Sequence, residues 1–259
     1  MNTEASQRRQ PAQLIVVAGS IAGLFALWAL VAWLADSRAL PGPQAVLAAM
    51  AAEAATGDLL YHLSMTLMRV MAAFVVAMAI GSAIGIALGS NNRLNRIFDP
   101  WVILFLNIPA LVTIVLAYIW FGLNEAAAIG AVAVNKIPNV IVTLREGTRA
   151  MDPALTEMAR VYRFSRRQML LDVILPQLQP FFAAASRSGI SLIWKIVLVV
   201  ELLGRSNGVG FQIHLNFQLF DVATILAYTL AFVAVMLAVE LAVIQPYEKR
   251  ATRWRPRLA

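Results

Sequence analysis

Three lysines occur in this 259-residue chain, and two of them, Lys136 and Lys195, stand inside long apolar stretches. A lysine near the centre of a membrane helix costs roughly 2.5–3.5 kcal/mol on insertion scales, so such a residue faces a cavity or a partner. Its chemistry would be electrostatic, a fixed positive potential that draws an anion; an interhelical pair or snorkelling to the interface is the alternative. Glu201 follows Lys195 by six residues, which at about 100° per residue sets it some 240° around one helix, so the two are not partners within it. Two interruptions, Asn107-Ile108-Pro109 and Asn135-Lys136-Ile137-Pro138, add amide groups and free carbonyls within apolar runs. Irregular backbone at membrane depth is tolerated where it lines a cavity or is buried in protein. Asn107, Thr113, Asn135, Lys136 and Lys195 are therefore candidates for a polar pathway, against helix kinks that only improve packing.

Covalent chemistry is poorly served. The two histidines, His62 and His214, fall near or outside the ends of apolar runs, and no serine in such a run sits in a Gly-x-Ser-x-Gly setting. The absence of cysteine excludes a disulfide framework and thiolate metal sites. A phosphate-cradling loop needs a lysine directly after glycine at a helix start, whereas Lys136, Lys195 and Lys249 follow Asn135, Trp194 and Glu248. Any nucleotide-driven motor would belong to another chain.

The elements that must position these residues follow from composition. Hydrophobic residues make up 60% of the chain and charged ones 14%, and the mean hydropathy is +0.73. That is well above soluble domains and places the chain in a bilayer, crossed by helices because each backbone polar group in lipid needs an internal partner. The periodicity predicts an all-α fold with six spans: 14–35, 63–90, 97–121, 123–144, 181–203 and 222–244. The first, with 22 residues, is too long for a cleavable signal core. A tail of residues 1–13, a membrane domain of 14–245 and a basic tail of 246–259 complete the expected organisation. The net charge of +7 sets topology and is not a nucleic-acid footprint. Arg8, Arg9, Arg93, Arg96, the fourth-to-fifth loop and the basic C-terminus share one side, so both termini are predicted cytoplasmic.

The fourth-to-fifth loop, residues 152–176, is rich in charge. Asp152 before Pro153 is a helix-start signal, and Leu155, Met158, Ala159 and Tyr162 line one face with Glu157, Arg160 and Arg163 away from it. Ser165 and Gln168 stand in capping-box spacing, and Pro176 is expected to end this second helix. Two short helices joined by a sharp turn suit a groove on a soluble partner; resting on anionic lipid is the alternative.

This stretch resembles the cytoplasmic signature of ABC importer permeases, the binding-protein-dependent inner-membrane components: E-A-A, three residues, G, nine residues, I-x-L-P. Glu157, Ala159, Leu175 and Pro176 match in register, Val173 stands for Ile, Met158 replaces the middle Ala, and the Gly falls on Arg163. Arginine there disfavours a turn with φ > 0, and an ordinary right-handed link is the alternative. "LPGPQAV", "IPALVTIVLAYIWFG" and "WKIVLVVELLGRSNGVGFQI" resemble the branch importing nitrate, aliphatic sulfonates, taurine or bicarbonate, and the likeness runs from about Leu40 to Gln245. The resemblance implies a type I importer permease in the bacterial inner membrane that pairs with a second copy and receives substrate from an external binding protein. It also implies an ABC ATPase docked near 152–165, through Leu155, Glu157, Met158, Ala159, Arg160, Tyr162 and Arg163, with Pro176 closing the motif. ATP and magnesium would be held by that subunit and no cofactor by this chain.

Three readings stay open at this level: transport of an anion, transport of an uncharged or cationic vitamin precursor by the same machinery, and an ATP-independent carrier or channel. "GSAIGIALG", with Gly81, Gly85 and Gly89 four apart, reads as a seam for close helix packing. "GRSNGVGFQIH" is either a contact for the external binding protein or an ordinary Gly-rich loop.

Overall fold

The computed structural model describes residues 3–251, the side chains of residues 3–18 and 249 excepted. The basic residues Arg8, Arg9, Arg253, Arg255 and Arg257 thus have no described side chains. The described residues form helices throughout. In chain order these are α1 (Thr3–Ala35), α2 (Pro43–Thr56), α3 (Asp58–Ser90), α4 (Asn92–Asn107), α5 (Ala110–Phe121), α6 (Glu125–Arg149), α7 (Pro153–Val161), α8 (Arg166–Gln168), α9 (Leu175–Gly204), α10 (Val209–Gln218), α11 (Val222–Val239) and α12 (Gln245–Ala251). Four helical stretches are long and apolar enough to cross a membrane: Asp58–Ser90, Glu125–Arg149, Arg166–Gly204 and Val222–Glu248. The paired helices α4 and α5 make a fifth if taken together.

The predicted third span is more than kinked: α4 and α5 meet at 94°. Pro109 drives Ile108 into extended backbone, ψ 122°, and so forces a new helix start. The predicted interruption of the fourth span does not occur, because α6 continues through a buried Pro138. Packing against neighbours holds the helix where the local rule would bend it.

The chain divides into two compact units, residues 1–60 with 213–231, and residues 61–212 with 232–259. In the first, α2 has Pro43 in its opening turn and ends on Gly57 in the left-handed region, and Tyr228 donates to Glu53 at 2.6 Å. In the second, a core of Val70, Ala73, Ile114, Ala131, Ile193 and Val197 joins α3, α5, α6 and α9.

The glycine seam sets how closely α3 lies on α6. A Cβ on Gly81 would fall 2.6 Å from that of Val140, and one on Gly85 would fall 2.7 Å from the carbonyl oxygen of Ile141. Gly85→Ala is expected to lower unfolding stability by about 1–3 kcal/mol through overpacking. Gly130→Ala, where nothing lies within 4 Å, should be neutral or mildly stabilising because alanine favours helix. Parallel denaturation of both variants in detergent checks the contrast; equal losses would show that the seam does not govern this packing.

Candidate functional site

Asp152 caps α7 by accepting the Ala154 amide, and Ser165 and Gln168 exchange both bonds of a capping box. Between them the chain reverses in a Schellman turn: the Phe164 amide donates to Ala159 and the Arg163 amide to Arg160. Arg163 sits at the position glycine usually takes, with φ +53°. Of the two forms left open for this turn, the left-handed one is adopted. The two turn bonds hold the left-handed conformation at a cost of about 1–2 kcal/mol.

Pro176 does not end the second helix. A π-helical turn at Met169–Ile174 leads from α8 into α9, and the Leu175 amide donates to the Leu170 carbonyl, five residues back. Pro176 has no amide to give, and the helix continues through it from the π-helical turn into α9 without that bond. The element is therefore one short helix, α7, and the end of a continuous helical stretch reaching Gly204. Gln177 fastens them together, its carbonyl accepting the Asp152 amide at 2.8 Å and its amide donating to Val173 at 3.1 Å.

The expected apolar face is divided. Ala159 is fully buried, while Leu155 and Met158 border a groove of about 460 Å³ shared with Phe164, Val173 and Pro176. Tyr162 turns outward and is 72% exposed beside Val161 at 79%. Glu157, Arg160, Arg163, Arg166 and Arg167 are also exposed. The surface offered outward is thus an apolar pair among arginines.

Of the polar residues expected along a pathway, Thr113 and Asn135 come together at 3.4 Å. Both line a cavity of about 620 Å³ formed by α5, α6 and the end of α4, which also includes Asn124 and is walled mainly by apolar groups such as Phe105, Leu116, Trp120 and Val134. Asn107 is outside this cavity lining, its amide turned onto the Ile103 carbonyl of its own helix. Lys136 is 2% exposed, with its ammonium 3.3 Å from the Ser188 hydroxyl on α9. Lys195 is exposed and reaches over the Trp194 ring. The two lysines do not converge on one place.

A third constellation lies at the far end of α9, about 40 Å from its start at 1.5 Å per residue. Arg69 of α3 is 1% exposed and donates to Glu125 of α6 at 2.7 and 2.9 Å and to Glu201 of α9 at 2.6 Å. It also donates to the carbonyl and side-chain oxygen of Asn207. Glu201, 0% exposed, further accepts from Thr66 and from the Gly210 amide, each at 2.9 Å. Arg205 closes the outer side on Glu125 at 2.6 Å. In the Gly-rich loop a Cβ on Gly208 would collide with the Glu201 carboxylate, and Gly208 has φ +107°. Its glycines let the backbone close over a buried carboxylate.

Sequence reasoning missed Arg69. The available signal was an arginine inside the predicted 63–90 span, with Glu201 left without a partner.

A helical chain with several stretches long and apolar enough to cross a membrane is of the multi-pass membrane class. Residues 77–245 match the family of binding-protein-dependent transport system inner membrane components, more than half of the chain, and the chain belongs to that family. It is an inner-membrane ABC importer permease subunit, a non-catalytic component. Among its relatives, a protein named as an aliphatic sulfonates transport permease, SsuC of Escherichia coli, is 29% identical, covering 90% of this chain and 89% of its own. The taurine transport system permease protein TauC of Escherichia coli is 28% identical, covering 93% and 90%. Among solved structures, an inward-facing conformation of the MetNI methionine ABC transporter superposes with a TM-score of 0.61 at 17% identity, over 70% of this chain and 92% of that one. The last likeness concerns the fold alone.

Proposed function

We propose that this chain is the six-span permease of an ATP-driven importer for a small anion of the sulfonate, taurine, nitrate or bicarbonate class, working as a pair of identical copies with both termini cytoplasmic. One observation carries the reading: α7 is fastened through Gln177 to a helix that continues from the knuckle to the buried charge cluster. A push on α7 by a docked ATPase is therefore passed along one continuous helical stretch to the far end of α9. Leu155, Glu157, Met158, Ala159, Arg160, Tyr162, Arg163 and Pro176 form or support the docking element. Thr113 and Asn135 line the substrate path, joined by Asn107, Lys136 and Lys195 as the helices rearrange. The anion assignment draws on the names of SsuC and TauC and on the buried ammonium of Lys136, since a desolvated cation favours a negative partner.

The test is reconstitution with the ATPase and the external binding protein. The tagged chain should copurify with the ATPase, and removal of residues 153–163 should reduce ATP-driven uptake to background while membrane insertion persists. ATP-driven uptake retained in that variant would reject α7 as the docking element. Titrating the binding protein with a panel of sulfonates, nitrate, bicarbonate, neutral solutes and cationic vitamin precursors decides the substrate; selective capture of a neutral or cationic solute would reject the anion reading.

A further inference from the structure

The cluster around Arg69 has no part in docking or in the cavity, yet it contains the most deeply buried charges of the second unit. Arg69 is 1% exposed and Glu201 0%. The groups that bond this pair come from α3, α6, α9 and the loop at 205–210. Thr66 adds a relay, donating to Glu201 while its oxygen accepts the Val209 amide at 2.8 Å. His62, one turn before Thr66, accepts the Gly208 amide at 2.9 Å. Beneath the cluster lies the apolar core of Val70, Ala128, Val197 and Val200, with Tyr118 packed against it and its hydroxyl donating to the Val200 carbonyl at 2.9 Å.

Separating α3 from α9 here would take the guanidinium away from the Glu201 carboxylate and leave that carboxylate without its ion-pair partner in a buried site, a change that costs several kcal/mol. The opposite end of α9 is held otherwise. It begins in a π-helical turn, and the ion pairs nearer that end, from Arg187 to Glu240 at 3.5 Å and to Glu248 at 2.7 Å, involve an arginine 52% exposed. Half-exposed pairs of this sort form and break readily.

We infer that the Arg69–Glu125–Glu201–Asn207 cluster is a permanent pivot: it keeps the adjoining ends of α3, α6 and α9 fused through the transport cycle, so that force applied at α7 swings the knuckle end of α9 about this point. Arg69 is then a positioning residue for transport and never an opening gate. The inference rests on the docking reading proposed above.

The test uses the assembled transporter, this chain with its ATPase and binding protein in nanodiscs; the chain has no cysteine of its own. Spin labels at Met68→Cys and Leu203→Cys, both exposed positions on α3 and α9, report the pivot end. Labels at Ile97→Cys and Leu170→Cys, also exposed, report the knuckle end. Between nucleotide-free and ATP-trapped states the first intramolecular distance should stay within about 2 Å, the scale of an ordinary helix shift, while the second changes by more. A larger change at Met68 and Leu203 overturns the pivot, and so does an immobile knuckle pair in a complex that hydrolyses ATP. Failure of the ATPase to associate at all refutes the docking reading, and the pivot with it. Arg69→Lys keeps the charge but loses the two-pronged grip, so ATP consumed per substrate imported should rise about fivefold or more; an unchanged ratio in a folded Arg69→Lys complex also overturns the assignment.

Discussion

Replacing Arg69 with methionine is expected to lower the unfolding stability of the protein in detergent by about 3–5 kcal/mol, the usual penalty for removing one partner of a buried ion pair. The side chain fits the volume, so little of the loss is cavity. Most of it comes from Glu201, which keeps Thr66 and the Gly210 amide as donors but loses the guanidinium that pairs with it in a site with no exposure. Glu125 is cushioned, since it is 37% exposed and retains Arg205. Arg187→Met supplies the comparison: its pairs to Glu240 and Glu248 lie at a half-exposed arginine, and such pairs contribute about 0–1 kcal/mol. Denaturant titration of the two variants side by side measures the gap. A loss at Arg69 no larger than at Arg187 would mean that the cluster is wet or already open.

The second large effect concerns the knuckle. Val161 and Tyr162 are the most exposed apolar side chains of α7 and its turn, and tyrosine beside arginine is a common composition for the few residues that dominate a protein interface. Changing both to aspartate is expected to weaken ATPase binding by about 2–4 kcal/mol, roughly 30- to 1,000-fold in Kd. The fold should be unaffected, because neither side chain contributes to the α7 caps or to the Gln177 link. Binding of the purified ATPase to the immobilised chain reads the change. Undiminished affinity would move the docking surface to Leu155 and Met158 in the groove.

How much of this could be read beforehand depends on the range of the forces involved. The caps at Asp152 and Ser165 were legible because each joins residues two or three apart. The glycine seam was legible for a similar reason, its four-residue spacing placing three small residues on one face. Pro138 and Pro176 were misread as breaks. The local steric rule is sound, but α6 is held between packed neighbours and the helix runs from a π-helical turn through Pro176 without its missing bond. At Arg163 the choice left open by the residue type was made by the turn: the intrinsic preference of one residue gave way to two turn hydrogen bonds.

By itself the sequence determined the solvent, the helical class, the charged knuckle and the absence of a nucleotide-binding loop, since transfer free energy, helix period and capping are settled within one or two turns of chain. Tertiary structure alone decided that Arg69 meets Glu201 across 132 residues, that Asn135 and Thr113 face one cavity while Asn107 does not, and that the Gly-rich loop closes over a carboxylate. Partners so far apart in the chain become neighbours only after the helices have packed. What selects among the possible pairings is the cost of leaving a charge unpaired in a dry interior, a quantity that does not exist until that interior has formed.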